Sequence, residues 1–161
     1  MAGARARLAG DPRYRFVQRD ITRPAEAGGE EHRAVTFDTF MTRRAAAGYA
    51  LSWEAHGLGY GIPADIAEDI SIGRVVIANV SRAVLVEAAC RFPVRVLEIT
   101  APVNILARRL AARGRESEVD IAARLTRAVP LPQGLDVVTV QNVGAVDQGV
   151  TAVLAVLAGA P

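Results

Sequence analysis

The sequence predicts an α/β fold built on a doubly wound parallel sheet, and three observations lead to this prediction. Apolar periodicity switches between strand-like and helix-like about every ten to fifteen residues along the 161-residue chain. Arg74 to Val80 and Val94 to Thr100 are apolar, β-branched runs, typical of strands buried on both faces of a parallel sheet. Helical patterns follow both runs, as β-α-β crossovers require. No repeat or linker interrupts this order, so we expect one domain, 1–161.

Turn and cap residues set the element boundaries in the first half of the chain. Gly10-Asp11-Pro12 stops the first helix, and Thr36 is a suitable N-cap for the second, which ends at Gly48. Pro63 favours the first turn of a third helix, and His56-Gly57-Leu58 is typical of a turn between paired strands. The predicted helices are 2–9, Phe37–Ala47 and Pro63 to about Ser71, and the predicted strands are Tyr14–Gln18, Tyr49–Trp53 and Gly59–Ile62.

The second half repeats a strand and helix order with proline residues at its boundaries. Pro93 precedes the second buried strand, and Pro102 opens the helix that follows it. Cys90 lies in an apolar helical run and is predicted to be a small core residue. The predicted strands are Arg74–Val80, Val94–Thr100 and Val137–Val140, and the predicted helices are 83–91, 102–112, 120–129 and 146–157.

Composition excludes several classes of protein. Apolar residues make up 51% of the chain and both charge signs are interspersed, which is typical of an ordinary soluble globular protein. No apolar run approaches the roughly 18 residues of a membrane span or forms a signal-peptide core, so we expect a cytoplasmic protein without a membrane partner. The single cysteine excludes an internal disulfide, and His32 and His56 lack metal-ligand spacing, so no protein metal site is predicted.

Arginine carries all of the side-chain positive charge, because the 161 residues contain no lysine. Arg19 and Arg23 precede the Gly28-Gly29 loop, a setting in which guanidinium groups and backbone amides commonly bind phosphate, although a surface turn is an equal alternative. A second cluster surrounds Gly114 on two predicted helices, where spacing alone favours a solvated face over a polyanion site. This cluster consists of Arg108, Arg109, Arg113, Arg115, Arg124 and Arg127.

Several strings resemble the guanylate kinase fold of P-loop nucleoside-monophosphate kinases, and together they cover nearly the whole chain. They are Ile21-Thr22-Arg23, the Gly29-Glu30 loop, Gly57 to Gly61, and Arg109 to Gly114 followed by Arg124. Three further strings resemble, more specifically, the ribose 1,5-bisphosphate phosphokinase family of phosphonate catabolism. They are Leu51-Ser52-Trp53, Ser81-Arg82-Ala83 and Arg113 to Glu116. The resemblance implies a kinase that uses ATP and Mg²⁺ to convert a small-molecule substrate, ribose 1,5-bisphosphate, to 5-phosphoribosyl diphosphate.

The resemblance also implies roles for individual residues. Residues 19–62 would form an acceptor-binding subdomain, and residues 109–127 would form a lid. The acceptor would be bound by Arg23, Glu30 and Tyr60, with Asn79 near the metal or the acceptor hydroxyls. The catalytic residues that clamp the transferring phosphoryl group would be Arg109, Arg113 and Arg124, and the nucleotide would contact Arg113, Arg115 and Arg124.

Departures from guanylate kinase predict that no base is bound. Leu51 stands where the resemblance implies a glutamate that reads guanine, and Ile62 replaces a hydroxyl residue. A buried base donor left unpaired costs about 1 to 3 kcal/mol. Asn79 stands where an aspartate is expected, whereas the phosphate-binding Arg23 is retained. A ribose phosphate acceptor fits this combination better than a nucleoside monophosphate does.

The phosphate-binding loop of such kinases has no counterpart in these 161 residues, which contain no G-x-x-x-x-G-K-[ST] string. The chain begins within what resembles the first helix. We therefore expect an N-terminally shortened kinase that lacks its first strand and P-loop and has little or no activity as the isolated chain. The alternatives are guanylate kinase or another nucleoside-monophosphate kinase, and a non-catalytic phosphate-ligand-binding module. Nucleic-acid binding is disfavoured, because the arginines form two clusters without an aromatic platform.

Overall fold

The structure, a computed structural model, describes residues 1–27, 30–111 and 130–159. The chain divides into two compact units, Leu8–Pro93 and the pair of segments Met1–Arg7 and Val94–Ala160. The described helices are α1 (Ala2–Arg7), α2 (Phe37–Ala45), α3 (Ile66–Ser71), α4 (Leu85–Arg91), α5 (Val103–Ala111) and α6 (Val146–Ala158). The described strands are β1 (Tyr14–Phe16), β2 (Asp20–Ile21), β3 (Arg33–Ala34), β4 (Tyr49–Ala55), β5 (Leu58–Pro63), β6 (Val75–Ile77), β7 (Arg95–Thr100) and β8 (Asp136–Gln141).

The Leu8–Pro93 unit contains a parallel strand pair and a mixed four-stranded sheet. β1 pairs with β6 in parallel, so that Tyr14 lies opposite Val75. The four-stranded sheet has the order β3-β2-β5-β4, in which β2 runs parallel to β3 and antiparallel to β5. β4 and β5 form the predicted hairpin, and its turn residues His56 and Gly57 have φ angles of 53° and 73°. Positive φ at both positions is the signature of a type I′ turn, whose twist matches that of the strands it joins.

Helix α2 covers one face of the four-stranded sheet. Its predicted N-cap is confirmed, because Oγ1 of Thr36 accepts a hydrogen bond from the backbone N–H of Thr39 at 3.1 Å. Phe40 is fully buried beneath the helix. A Cβ atom at Gly59 would lie 2.7 Å from the Phe40 ring, and one at Gly61 would lie 2.4 Å from the ring of Tyr49. Glycine at both positions therefore lets the rings pack directly against the β5 backbone.

The second unit contains the parallel pair β7 and β8, in continuous register from Arg95 opposite Asp136 to Thr100 opposite Gln141. Helices α1 and α6 pack closely there, since a Cβ atom at Gly3 would lie 2.5 Å from a methyl group of Val150. An exposed ion pair at 3.4 Å joins Arg7 to Asp147. The predicted 102–112 helix corresponds to α5, whereas the predicted helix 120–129 lies outside the described residues.

Three local predictions were wrong. Pro63 does not open a helix but ends β5 opposite Tyr49, where a missing N–H is tolerated, and α3 begins at Ile66. Cys90 is exposed, because the buried positions of α4 are Leu85 and Ala88. The two apolar runs are not buried on both faces. β6 is half-buried throughout, and only Val96 of β7 is buried.

Candidate functional site

The four-stranded sheet presents two faces of different chemistry. Because side chains alternate along a strand, Asp20 points to one face and its neighbours Arg19 and Ile21 point to the other. The face of Asp20 is covered by α2, and we call it the α2 face. The opposite face, which we call the Arg19 face, carries Trp53 and Tyr60 directly opposite each other on β4 and β5.

Glu30 is the centre of the polar contacts on the Arg19 face. Its Oε1 accepts a hydrogen bond from Nε of Arg19 at 2.7 Å and a second from Nη2 of the same guanidinium. Its Oε2 accepts a hydrogen bond from Nδ2 of Asn79 at 2.9 Å. The side chains of Arg19 and Glu30 are 15% and 28% exposed, so the pair is sheltered yet reachable from solvent. The structure thus brings two predicted acceptor residues, Glu30 and Asn79, into direct contact.

Two aromatic rings support Arg19. Its guanidinium carbon lies 5.5 Å from the ring centroid of Trp53 and 5.3 Å from that of Tyr60, within cation-π range. The two rings stack on each other, with centroids 5.3 Å apart and planes inclined by 3°. Tyr60, the third predicted acceptor residue, is therefore connected to Glu30 through Arg19.

His32 connects Arg23 to Glu30. Its Nε2 lies 3.1 Å from the carbonyl oxygen of Arg23, and its Nδ1 lies 3.0 Å from the carbonyl oxygen of Glu30. Nη2 of Arg23 lies 3.5 Å from the same Nδ1. His32 is only 7% exposed. Its buried ring therefore links the two chain segments that carry these predicted acceptor residues.

A shallow cavity of about 330 Å³ lies beside Arg23. Oγ1 of Thr22 accepts a hydrogen bond from the backbone N–H of Gly59 at 2.8 Å, which leaves its own O–H to donate. Thr36, the N-cap of α2, also lines the cavity. A guanidinium, a hydroxyl and a helix N-terminus are groups that bind phosphate. The lining residues are Thr22, Arg23, Pro24, Ala34, Val35 and Thr36.

The α2 face contains a fully buried carboxylate. Asp20 accepts hydrogen bonds from Arg33, from Arg43 and, at 2.7 Å, from the hydroxyl of Tyr49. Burial alone would raise the pKa of Asp20, but hydrogen bonds from Arg33, Tyr49 and Arg43 outweigh it and hold the pKa below its usual value. Burial and the hydrogen bond to Asp20 raise the pKa of Tyr49 to about 12. This cluster joins β2, β3 and α2 on the side of the sheet opposite Arg19.

The predicted phosphoryl-clamping residues lie only partly within the described chain. Arg109 is on α5, where its Nη1 donates to the carbonyl oxygen of Asn142 at 2.6 Å and its Nη2 donates to that of Gly144 at 3.2 Å. These bonds join α5 to the segment after β8, and a role in phosphoryl transfer stays a prediction. Arg113, Arg115, Arg124 and Arg127 lie outside the described residues.

The described ranges contain neither a candidate metal site nor a membrane-spanning helix. Within residues 1–27, 30–111 and 130–159, no group of three or more His, Cys, Asp or Glu side chains is placed to hold a metal ion. Nor is any helix of these ranges long and apolar enough to cross a membrane. The oxygens of Glu30 accept hydrogen bonds from N–H donors of Arg19 and Asn79.

Comparison with known proteins identifies the family, although no protein-family model matches the chain. A ribose 1,5-bisphosphate phosphokinase of Agrobacterium fabrum is 44% identical over 156 residues, which cover 96% of this chain and 85% of that protein. The enzyme of the same name from Brucella melitensis is 45% identical over 156 residues, covering 96% of this chain and 81% of that protein. The chain belongs to the ribose 1,5-bisphosphate phosphokinase family. The family predicted from the sequence is thus confirmed.

The chain is also similar to part of a longer bifunctional protein and to a solved structure of the same fold. A bifunctional ribose 1,5-bisphosphokinase-thymidine phosphorylase of Azorhizobium caulinodans is 50% identical over 142 residues, or 87% of this chain, but the matched part spans only 20% of that protein. The crystal structure of guanylate kinase from Anaplasma phagocytophilum aligns with a TM-score of 0.69 at 14% identity, covering 96% of this chain and 78% of that one. The predicted guanylate kinase-like α/β fold is therefore confirmed.

The four predicted acceptor residues are connected by Arg19, which the sequence placed only in a candidate phosphate-binding cluster, and by His32, which it did not single out as a ligand. Arg19 bonds to Glu30 and contacts Tyr60, and His32 bridges Arg23 and Glu30 through their carbonyl oxygens. Arg19 has a charge opposite to that of Glu30, and His32 is two residues from it. Neither the opposite charge nor the short spacing reveals, from the sequence alone, that the chain folds back and brings Arg19 and His32 to Glu30.

Proposed function

We propose that this chain binds ribose 1,5-bisphosphate as the acceptor in an ATP-dependent phosphoryl transfer that yields 5-phosphoribosyl diphosphate and ADP. The observation that carries the proposal is a pair of subsites connected by His32. One is Arg23 beside a cavity, which suits a phosphate group, and the other is the contact between Glu30 and Asn79, which suits sugar hydroxyls. Relatives 44% and 45% identical to the chain are named for this substrate.

The phosphate subsite depends on Arg23 and Thr22. A guanidinium binds phosphate oxygens through two parallel N–H donors, and the hydroxyl of Thr22 is held in position by the backbone N–H of Gly59 at 2.8 Å. Thr36 places the N-terminus of α2 at the same cavity, where the helix dipole favours negative charge. These groups complement a phosphate of the acceptor.

The interior of the β4-β5 hairpin supports a ligand without a base. Leu51 and Ile62 lie directly opposite each other and are 5% and 0% exposed. Neither side chain has a hydrogen-bonding atom, so they give no partner to the edge of a purine. The face of Tyr60 next to them is already stacked on Trp53. A ribose phosphate needs no such partners.

In the proposed reaction the nucleotide is ATP, with Mg²⁺ as its counter-ion. Mg²⁺ commonly binds through nucleotide phosphates and only one or two carboxylates, so it requires no dedicated cage of protein ligands. We assign nucleotide contacts to Arg113, Arg115 and Arg124, and stabilisation of the transferring phosphoryl group to Arg109, Arg113 and Arg124. Because the reaction consumes ATP, we place it in the cytoplasm.

The test is titration calorimetry of the 161-residue chain with ribose 1,5-bisphosphate, comparing the wild type with Arg23→Leu. We expect the wild type to bind and Arg23→Leu to lose about 1.5 to 3 kcal/mol, the contribution of a charge-assisted hydrogen-bonded group. Arg44→Ala is the matched control, because Arg44 forms an exposed pair with Glu54 at 3.0 Å elsewhere on the same sheet. Equal affinity of Arg23→Leu and the control would contradict the phosphate role.

A further inference from the structure

Arg19 contacts Glu30, Trp53 and Tyr60, although the resemblance does not count it among the acceptor residues and the sequence placed it only in a candidate phosphate-binding cluster. Its guanidinium makes two hydrogen bonds to Oε1 of Glu30 and lies over the rings of Trp53 and Tyr60. Only 15% of its side chain is exposed. Nε–H and one Nη2–H of Arg19 both donate to the same oxygen of Glu30, a geometry that holds this carboxylate in one orientation.

The aromatic pair forms the support for this arginine. Trp53 and Tyr60 are a directly opposed cross-strand pair, and Trp53 is only 8% exposed. Their ring planes are inclined by 3°, and the guanidinium carbon of Arg19 lies 5.5 Å and 5.3 Å from the two ring centroids. A planar guanidinium can contact aromatic rings and still donate in a fixed fork, which a lysine ammonium cannot do.

The arrangement fixes the orientation of the Glu30 carboxylate. A carboxylate has about four lone-pair positions, and Arg19 and Asn79 use three of them with the three hydrogen bonds described above. The remaining position lies beside the amide of Asn79, which has a carbonyl oxygen of its own. Two neighbouring acceptor oxygens of this kind match two neighbouring hydroxyl donors.

We propose that Arg19, supported by the Trp53 and Tyr60 rings, is a positioning residue that holds Glu30 against Asn79 so that the two together recognise adjacent hydroxyls of the acceptor sugar. This inference rests on the proposed function for the identity of the sugar. It separates the site into a hydroxyl-recognition unit that depends on Arg19 and a phosphate subsite at Arg23 that does not.

The experiment uses the full chain with Arg19→Met and Arg19→Lys. Methionine retains an unbranched stem over the rings but has no donors, and lysine retains the charge without the fork. Ribose 1,5-bisphosphate and inorganic phosphate are titrated separately by calorimetry. Trp53 is the single tryptophan, so its fluorescence reports on the stack in each variant. Arg44→Ala is the control for a lost surface charge.

We expect Arg19→Met to weaken ribose 1,5-bisphosphate binding about 10- to 100-fold, by analogy with the loss when a residue that orients a metal ligand is removed. Inorganic phosphate affinity should stay at the wild-type value, and Arg19→Lys should lie between Arg19→Met and the wild type. The emission of Trp53 should shift in Arg19→Met and not in Arg44→Ala. A residue with only a structural role would not weaken one probe and spare the other.

Two results would overturn the positioning role. One is unchanged ribose 1,5-bisphosphate affinity in Arg19→Met under conditions where Glu30→Gln weakens it. The other is an equal loss of affinity for both probes. If the wild type binds inorganic phosphate but not ribose 1,5-bisphosphate, the proposed function fails. The positioning role is then tested by the free energies of unfolding of Arg19→Met, Glu30→Gln and the double variant. Additive effects of the two substitutions would refute the role.

Discussion

Asp20 is the buried charge on which the α2 face of the four-stranded sheet depends. An isolated carboxylate without exposed surface would be strongly destabilising, but two guanidinium groups and the Tyr49 hydroxyl pair with it. Sequence reasoning did not single out Asp20, because its partners Arg33 and Arg43 come from β3 and α2. Their convergence is a tertiary feature with no local spacing signal.

The lowered pKa of Asp20 predicts a specific acid dependence. Since the pKa is lower in the folded state than the unfolded value of about 3.9, the stability from ionised Asp20 is fully present above that pH. It is lost as the pH falls through the folded-state pKa. We expect Asp20→Asn to unfold at a lower temperature than the wild type near neutral pH, with the gap closing below about pH 4.

Thermal unfolding of both proteins across acid pH measures this gap. Glu54→Gln is the control, because Glu54 is half exposed in its pair with Arg44 and has little stability to lose. A gap between Asp20→Asn and the wild type that stays constant down to strong acid would refute the assignment.

Tyr49 predicts the opposite dependence at alkaline pH. Its pKa is raised to about 12 in the folded state, so its contribution is fully present below the unfolded tyrosine value and lost as the pH rises from about 10 through about 12. At neutral pH, Tyr49→Phe should lose the hydrogen bond to Asp20, about 1.5 to 3 kcal/mol for a charged acceptor. Urea unfolding of Tyr49→Phe and wild type should show this difference shrinking above about pH 10, and a growing difference would contradict it.

At the scale of elements, the fit of β5 against its neighbours depends on glycine. A Cβ atom at Gly61 would lie 2.4 Å from the ring of Tyr49, which cannot move without disturbing its bond to Asp20. Gly61→Ala should therefore destabilise the protein by about 1 to 3 kcal/mol, as overpacking typically does. Gly159→Ala is a suitable control, because the nearest atom there is 3.7 Å away. Equal thermal unfolding temperatures for the two variants would refute this packing account.

The elements that could be predicted from sequence are those with local signals. Thr36 and the apolar periodicity identified α2, and His56-Gly57 identified the β4-β5 turn. The two-residue strands β2 and β3 were missed because so short a strand has no periodicity. Pro63 was misassigned because proline is as acceptable at a strand end as in a first helical turn.

At the scale of the whole molecule, the resemblance predicts four acceptor residues but not the contacts between them. Arg23, Glu30, Tyr60 and Asn79 were predicted from motifs, and the structure places all four in the Leu8–Pro93 unit. Their connections depend on Arg19 and His32, whose contacts arise only when β2, β3 and β5 come together. Such contacts between distant segments have no motif in the sequence, so motif reading could not predict them.

The central claim is that this site accepts a ribose phosphate and not a nucleotide. The most direct measurement is a competition titration, in which GMP is added to the chain saturated with ribose 1,5-bisphosphate and the Trp53 fluorescence is followed. Leu51 and Ile62 are buried without hydrogen-bonding atoms, and Trp53 already covers Tyr60. We predict that ribose 1,5-bisphosphate changes the fluorescence and that GMP fails to reverse the change. Displacement by GMP at comparable concentration, or no response to ribose 1,5-bisphosphate together with a response to GMP, would contradict the account.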